Sequence, residues 1–303
     1  MKKIIIVFSV IVMPFLLCSC RIFPDYTEPE NRIIITALGI DRHERGVRLT
    51  METADVISNT NEDVYNSAIH TGTGENIRSA INDISTRADG KLMFSKCPVV
   101  LLSSDIDEQT VKEFFDICVE EYDISLSVRV VTCNNAYDLL DSDEEKDKLL
   151  GYEILKLLNF GKSSIGITSG DTLPQILNTS ADFKTPFIKS ENGRITVSGT
   201  ALYTDNSFYK TIDIKSAQLL YILNGDFKSS VYNSCGENLE IKKSKYKNGT
   251  LKIYVENMGF LSEKDNIKDR IGQDVNALSD MALQNFLPDG FGNNTEIKII
   301  GEY

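Results

Sequence analysis

Apolar and polar residues follow regular periods along most of the chain, and these periods predict a mixture of strands and helices. A continuous apolar run over residues 33–40 predicts a buried strand. Alternating apolar and polar residues from Val47 predict a second strand. The polar turn 41–46 between them predicts a hairpin, and the polar stretch 58–66 predicts a mobile connection after it.

The same periods predict the remaining elements. Asp105 and Glu108 have the spacing of a capping box at the start of one helix. Interspersed strands and helices of this kind predict the α+β class, with mixed sheets. Helices are predicted at 77–88, 105–122, 136–140, 150–158, 217–221 and 267–282, and strands at 98–102, 126–130, 195–203, 208–212, 239–246, 251–255 and 296–300.

A change in composition predicts how the chain divides into domains. Glycine, proline, serine and threonine accumulate between Ser163 and Arg194, around a short apolar turn at 172–177. We therefore predict an N-terminal mixed α/β domain over 33–190 and a C-terminal α+β domain over 191–303. The chain of 303 residues is long enough for two domains, each with its own core.

The beginning of the chain has the layout of a secretory signal. Lys2 and Lys3 precede an apolar run that ends at Leu17. The alternative is a membrane-spanning helix, but such a helix needs about 20 apolar residues. Pro14 also argues against it, because a proline inside a helix removes a hydrogen bond. We predict a signal peptide over residues 1–19 and an exported protein.

The end of this leader, Leu17-Cys18-Ser19-Cys20, resembles the lipobox of bacterial lipoproteins. The resemblance implies cleavage between Ser19 and Cys20 and attachment of a diacylglycerol to the Cys20 thiol. Two acyl chains attach a protein stably to a membrane, whereas a single chain binds only marginally. Residues 20–32, which include two prolines and several acids, are then interpreted as a tether.

The net charge of the chain limits the kinds of partner that it is expected to bind. The formal net charge is −12, and loss of Lys2 and Lys3 with the leader takes it to −14. Nucleic acids and bare anionic lipid surfaces both attract basic proteins. An acidic chain without a basic patch therefore predicts no nucleic-acid partner and membrane attachment by acyl chain rather than by charge.

The cysteines do not define a site. Six cysteines become four if Cys18 leaves with the leader and Cys20 carries lipid. Four cysteines allow three disulfide pairings, and the sequence does not choose among them. No pair has the C-x-x-C spacing of a zinc or redox site. We predict that they are small buried apolar side chains: Cys97, Cys118, Cys133 and Cys235.

We predict no catalytic residues, no cofactor site and no metal site. The chain has two histidines, His43 and His70, and both lie in polar, loop-like contexts outside any nucleophile motif. The acidic cluster 141–145 lacks the spaced ligands and the glycine of a calcium loop. It is interpreted as a solvated face or the start of a helix.

Two glycine-containing segments resemble phosphate-binding loops only in part. Gly161-Lys162-Ser163 matches the end of such a loop, but Lys156 occupies the position of its first glycine. Gly72 and Gly74 lack the third glycine of a dinucleotide fingerprint, because Ile77 stands in its place. We predict that these are loop glycines without a phosphate-binding role.

Several segments, in order, resemble the Ger(x)C family of lipoproteins, the C subunits of spore germinant receptors. The resemblance begins about a dozen residues after Cys20 and covers most of the mature chain. The matching segments are Ile35-Thr36-Ala37-Leu38-Gly39-Ile40-Asp41, the strand 47–56, the helix 74–85 with Lys91-Leu92-Met93-Phe94 and the strand 99–102, Gly199-Thr200-Ala201-Leu202-Tyr203, and 219–230 with Leu223, Gly225, Lys228 and Ser229.

The chain also departs from this family. Members often have tryptophan directly after the lipidated cysteine, whereas Arg21 follows Cys20 here and the chain has no tryptophan. The region after Gly249 is short for the family. The resemblance implies a fold of several mixed α/β domains, with a shortened C-terminal domain.

The resemblance implies a non-catalytic, lipid-anchored subunit of a germinant receptor. Its partners would be the A- and B-type integral membrane subunits, and it would lie on the outer face of the spore inner membrane. The alternative is a solute-binding lipoprotein of an uptake system, which would bury a small ligand between two lobes. An envelope hydrolase is a third alternative, which lacks a catalytic motif in its favour.

Overall fold

The computed structural model describes residues 32–59, 62–120, 124–141, 148–164, 171–178, 182–191, 193–226, 230–234, 237–256, 264–289, 291–292 and 295–301. The predicted signal peptide, Cys20 and Cys235 lie outside these residues. No helix in the described ranges is long and apolar enough to cross a membrane.

The described residues form thirteen strands and seven helices, and the predicted α+β class is confirmed. The elements are β1 (Arg32–His43), β2 (Gly46–Asn59), β3 (Glu62–Gly74), α1 (Ile77–Ser85), β4 (Lys91–Met93), β5 (Val99–Ser103), α2 (Glu108–Glu120), β6 (Arg129–Cys133), α3 (Ala136–Asp141), α4 (Leu150–Ser164), α5 (Leu173–Asn178), β7 (Phe183–Glu191), β8 (Arg194–Thr204), β9 (Ser207–Asp213), α6 (Ile214–Asn224), β10 (Ser230–Ser234), β11 (Glu237–Lys247), β12 (Thr250–Val255), α7 (Lys264–Ser279) and β13 (Glu296–Gly301).

The first sheet has nine strands in the order β3-β2-β1-β5-β6-β7-β8-β9, with the short β4 paired to β1. Strands β1, β5, β6 and β7 are parallel to their neighbours in that series, and the outer strands are antiparallel. Alternate residues of β5 pack on opposite faces: Val100 and Leu102 join the core under α1, α2 and α5, whereas Val99 and Leu101 join the core under α3, α4 and α6. The sheet is therefore the middle layer of three.

The second sheet has four strands in the order β10-β11-β12-β13, of which the last pair is parallel. One face of this sheet, with Leu239, Ile253 and Ile297, shares a continuous core with α3, α4, α6 and α7. Every residue of α6 from Ser216 to Leu223 is buried. Burial all round is expected for a helix with layers on both sides, and α6 contacts both β8 and β11.

Two predicted hairpins are found with the turns that their sequences favour. Strands β8 and β9 are joined by Asp205 and Asn206, which have φ values of 50° and 62°. Strands β11 and β12 are joined by Asn248 and Gly249, with φ values of 51° and 74°. Two successive residues with positive φ form the tight turn that matches the twist of antiparallel strands.

Strand β7 was not predicted, because its residues were assigned to the polar stretch before the expected domain boundary. It contains Pro186, which weakens a strand pattern. Its buried Thr185 is satisfied by Thr132, since the two hydroxyl oxygens are 2.7 Å apart. The predicted boundary at 190/191 lies within β7, one residue before its end, so the hydrogen-bonded sheet continues on both sides of it.

Other predicted elements differ in their limits. The polar stretch 58–66 lies mostly in β2 and β3, which pair as far as Asn59 and Glu62, because backbone pairing does not require apolar side chains. The strand predicted from residue 126 begins at Arg129, after a turn in which Leu126 is 60% exposed. The apolar turn 172–177 is the helix α5. Strand β10 was not predicted.

The cap of α2 also differs from the predicted capping box. Asp107, rather than Asp105, caps this helix, since its Oδ1 accepts a hydrogen bond from the Thr110 amide at 2.8 Å. Asp105 accepts instead from the Ser103 hydroxyl at 2.6 Å. The N-cap is therefore the residue directly before Glu108, where a side-chain oxygen reaches the third amide of the helix.

Candidate functional site

A buried carboxylate on β2 holds the N-terminus of α4. Glu52 is 1% exposed. Its oxygens accept hydrogen bonds from the amides of Leu150 and Gly151 at 2.5 and 2.9 Å. The Thr36 hydroxyl donates to the same carboxylate at 2.6 Å. Because Leu149 has no polar side chain with which to cap this helix, the cap comes from the sheet.

A second buried carboxylate, on β1, holds α3 in the same way. Asp41 is 1% exposed, and its two oxygens accept hydrogen bonds from the amides of Ala136 and Tyr137 at 2.6 and 2.9 Å. Asn135 supplies the local cap, since its Oδ1 accepts from the Asp138 amide at 2.9 Å. The positive end of a helix dipole stabilises a carboxylate in this position.

Arg48 joins Asp41, Asn135 and Tyr137 into one cluster at the end of β1. Its Nη2 lies 3.8 Å from Asp41 Oδ2 and 3.4 Å from Asn135 Oδ1. The guanidinium carbon lies 4.3 Å from the centre of the Tyr137 ring, within the range of a cation–π contact. The buried Nε of Arg48 has no hydrogen-bond partner among the described residues.

Opposing effects act on the pKa of Asp41. Burial raises the pKa of this carboxyl, whereas the amides of Ala136 and Tyr137 and the Arg48 charge lower it. Burial is the largest effect, so the pKa is raised above its ordinary value of 3.8. Since both oxygens are bonded to helix amides and the residue is 1% exposed, the group positions a helix and is not accessible to a ligand.

The N-terminus of a third helix, α1, also bonds to an acidic side chain from another element. Glu113 of α2 accepts hydrogen bonds from the amides of Ile77 and Arg78 at 3.1 and 3.3 Å. Asn76 and Ser79 form a local capping box at the same N-terminus. Three helices are thus fixed to neighbouring elements by acidic side chains that are distant in sequence.

The cluster lies at the carboxyl ends of the parallel strands β1, β5 and β6, where α/β proteins often bind ligands. The Ser103 hydroxyl donates to the Asn134 carbonyl at 2.7 Å. The Ser104 amide donates to the Cys133 carbonyl at 2.9 Å. Because the polar groups at this edge are bonded to one another, the geometry supports a rigid scaffold.

The two histidines lie in strands, which corrects the prediction of loop contexts. His43 ends β1, and its Nδ1 accepts a hydrogen bond from the Arg45 amide at 3.4 Å. His70 lies in β3 opposite Met51 of β2. Strand β2 separates the two. Within the described residues, no group of three or more histidine, cysteine, aspartate or glutamate side chains is placed to hold a metal ion.

The glycines predicted to lie in loops are in regular elements. Gly72 and Gly74 belong to β3, and Gly161 belongs to α4. A Cβ atom on Gly72 would lie 2.5 Å from the Ala80 carbonyl oxygen, and one on Gly74 would lie 2.1 Å from Ser79 Oγ. These two glycines therefore let α1 pack directly on the strand.

The prediction of buried cysteines is confirmed for three of them. Cys97, Cys118 and Cys133 are buried free thiols. Burial raises the pKa of the Cys97 and Cys118 thiols to about 12 and raises the pKa of Cys133 as well. Thiols with such pKa values are poor nucleophiles at neutral pH. Cys235 lies outside the described residues.

The second sheet has a basic surface that sequence reasoning missed. Along β11, buried Ser244 and half-buried Tyr246 alternate with exposed lysines, so these lysines share the face turned away from the core. Strand register adds one lysine from β12 and one from β13. This corrects the prediction of a surface without a basic patch. We call the surface the lysine face: Lys243, Lys245, Lys247, Lys252 and Lys298.

Sequence signals for these residues are weak. Asp41 was assigned to a polar turn and Glu52 to a solvent-facing strand position. The absence of a capping side chain at Leu149 indicates that α4 is capped from elsewhere, but it does not identify Glu52. Lys298 is far from β11 in sequence, so no window of sequence shows the lysine face.

Comparison with known proteins identifies a similar family. A family model described as the spore germination protein N-terminal domain matches residues 25–190, just over half of the 303-residue chain. The match ends within β7, inside the first sheet. No curated protein matched the chain.

One solved structure is similar at a low level. The crystal structure of the GerBC protein aligns over 87% of this chain and 95% of that chain, at 15% identity and a TM-score of 0.37. That TM-score is too low to support an argument.

Proposed function

We propose, from the premise that this chain belongs to the Ger(x)C family of spore germination proteins, that it is a lipid-anchored, non-catalytic subunit of a spore germinant receptor. The observation that carries the proposal is the family match over residues 25–190. It begins five residues after Cys20, the cysteine of the lipobox-like segment. A lipidated cysteine a short distance before a folded domain is the arrangement expected of a surface lipoprotein.

The proposed partners are the A- and B-type integral membrane subunits of the receptor. A lipid on Cys20 would place this chain on the outer face of the spore inner membrane, beside those subunits. Confinement to one membrane raises the effective concentration of each protein near the others. Weak contacts are then sufficient for assembly.

A non-catalytic role is supported by the geometry at the edge of the first sheet. Asp41 at that edge and Glu52 farther inside the sheet are buried carboxylates, and both are bonded to helix amides. The free thiols of the described residues are buried. Such a body is suited to presenting a rigid surface to other proteins.

Deletion of the gene tests the proposed role. Spores should form normally, and nutrient-triggered germination should be slowed or abolished, whereas a trigger that bypasses the receptors should still act. The strain should lack redundant receptors. Normal nutrient germination in that strain would contradict the proposal.

Substitution of Cys20 and of Cys18 tests the anchor. Cys20→Ala should release the protein from spore membranes and remove the acyl mass from its N-terminus. Cys18→Ala is the matched control, because this residue leaves with the leader, and it should leave both unchanged. Firm membrane attachment of the Cys20→Ala protein, with no acyl mass on the wild type, would refute the anchor.

Capture of the tagged protein from detergent-solubilised spore membranes tests the partners. Mass spectrometry should identify the A- and B-type subunits with the wild type. Their absence from the captured material, under conditions in which those two subunits are captured together, would argue against this assembly.

A further inference from the structure

The lysine face brings positive charges together across three strands. Lys245 of β11 is directly opposite Lys252 of β12, and Lys252 is directly opposite Lys298 of β13. Side chains directly opposite each other in neighbouring strands lie on the same face, about 5 Å apart at Cβ. The three lysines therefore form one row across the sheet.

This row is unfavourable for the isolated protein. Like charges directly opposite each other destabilise a sheet. The chain as a whole has a net charge of −12, with 44 acidic residues that would serve as partners at these positions. Stability alone therefore does not account for three lysines in register.

Acidic side chains near the row neutralise only part of it. Glu296 lies 3.1 Å from Lys298, and Glu256 pairs with Lys242 at 3.2 Å, outside the row. Among the described residues, Lys245 and Lys252 have no ion pair within 4 Å. Two of the three charges in the row are thus directed at solvent.

Apolar side chains flank the charges on the same face. In the next row, Lys243 is opposite Tyr254, and Tyr254 is opposite Ile300. The Lys243 ammonium lies 4.4 Å from the centre of the Tyr254 ring. Tyrosine is enriched where proteins meet the membrane–water interface, because its ring lies at the headgroup level.

We propose that the lysine face binds an anionic lipid surface. The complementary charge of phosphate headgroups would relieve the repulsion within the row, and each lysine near such a surface raises partitioning about fivefold. An acidic protein segment would satisfy only the charges, whereas a bilayer interface would also receive the half-buried Tyr254 and Ile300. The inference extends the proposed membrane location and gives the sheet a defined side toward the bilayer.

The tether length is compatible with this orientation. Eleven residues separate Cys20 from Arg32, the first described residue. A chain of that length reaches at most about 40 Å. Arg32 therefore stays within about 40 Å of a bilayer that holds a lipid on Cys20.

Vesicle sedimentation of the mature chain, residues 20–303 carrying Cys20→Ala, tests the proposal without any acyl chain. The probes are vesicles of phosphatidylcholine alone and of phosphatidylcholine with phosphatidylglycerol. Binding is expected only with the anionic vesicles and should fall with added salt. Substitution of Lys245, Lys252 and Lys298 with alanine should reduce the partition coefficient about a hundredfold.

The matched control removes three lysines elsewhere on the surface. Lys96, Lys112 and Lys156 are exposed on other elements. Their combined substitution with alanine makes the same change in net charge and should leave anionic-vesicle binding nearly unchanged. Thermal unfolding of both triple variants establishes that they fold.

Two outcomes would overturn the proposal. One is no binding of the unacylated chain to anionic vesicles, which would leave an acidic protein as the occupant of the lysine face. The other is an equal loss of binding in the two triple variants, which would indicate a response to net charge alone. Neither outcome bears on acylation of Cys20, which is measured separately by mass.

Discussion

The two sheets differ in the burial and the pairing of their charged side chains. In the first sheet, Asp41 and Glu52 are 1% exposed, and each is compensated by the N-terminus of a helix. In the second sheet, Lys245 and Lys252 are exposed and face each other in register. The two buried carboxylates are hydrogen-bonded to helix amides, whereas each of the two exposed lysines faces a like charge.

The difference separates residues that stabilise the fold from residues available for binding. A buried carboxylate is tolerated only if it is hydrogen-bonded, because an unpaired charge in the core costs several kcal/mol. Exposed lysines keep their water and are screened by salt, so the repulsion within the row costs about 1 kcal/mol or less. Unpaired charges are therefore tolerated on the surface of a protein, where they are available for binding, but not in its core.

The largest loss in the free energy of unfolding is expected on substitution of Glu52. Glu52→Ala leaves the amides of Leu150 and Gly151 without their acceptor, and the Thr36 hydroxyl keeps only its longer bond, 3.3 Å, to the backbone carbonyl of residue 52. Each buried unsatisfied group costs about 1–3 kcal/mol, so the free energy of unfolding should fall by about 3 kcal/mol or more in urea titrations. The control Glu153→Ala, an exposed carboxylate paired with Lys156, should change it by about 0.5 kcal/mol or less. Similar values for both would contradict the role of Glu52.

The second-largest loss in the free energy of unfolding is expected on substitution of Gly151, where α4 packs against β1. A Cβ there would lie 1.8 Å from the Thr36 carbonyl oxygen, so Gly151→Ala should lower the free energy of unfolding by about 1–3 kcal/mol. In α7, a Cβ on Gly272 would lie 3.7 Å from the nearest atom. Gly272→Ala should instead stabilise by about 0.5–1 kcal/mol through helix propensity. Thermal and urea unfolding of both variants measure the contrast, and equal effects would refute the close packing.

Reversal of the central charge of the lysine face sharpens the comparison. Lys252→Glu places a carboxylate between Lys245 and Lys298, so the free energy of unfolding should rise by about 0.5–1 kcal/mol. Binding to anionic vesicles should fall in the same variant. Lys156→Glu on α4 serves as the control for both measurements.

The pair of results for Lys252→Glu is diagnostic. If the variant is more stable and still binds anionic vesicles, the three lysines repel one another but do not bind the vesicles. A variant that is not stabilised would mean that the three lysines do not repel one another appreciably in the folded chain.

The smallest effect concerns the pH dependence due to Asp41. Because its pKa is raised above 3.8 in the folded chain, the folded state binds this proton more tightly than the unfolded state. Its contribution to stability is therefore greatest below pH 3.8 and declines as the pH rises through the raised pKa. Asp41→Asn should remove that decline in urea titrations across this range. An unchanged pH slope would contradict the raised pKa.

Local patterns predicted much of the fold. The hairpin of β11 and β12 was predicted from its alternation and from Asn248-Gly249, because the turn geometry depends on those residues themselves. Strand β7 was missed, since Pro186 and its polar neighbours give no apolar period. Its place in the sheet depends on contacts with β6 and β8 instead.

The candidate sites were harder to predict for the same reason. Cys20 and its lipobox-like context are local, so the sequence alone supports the anchor proposal. Glu52 meets Leu150 across 98 residues. Lys298 meets Lys252 across two non-consecutive elements, β12 and β13, which are joined through α7. Neither contact has a local pattern.

By itself, the sequence determined the properties that depend on neighbours along the chain: the export signal it predicts, most strands and helices, and the family. Only the tertiary structure decided which charges are buried against helix ends and which lysines line up across strands. The physical reason is that hydrogen bonding and Coulomb interactions depend on distance in space, and strand register and helix packing set those distances.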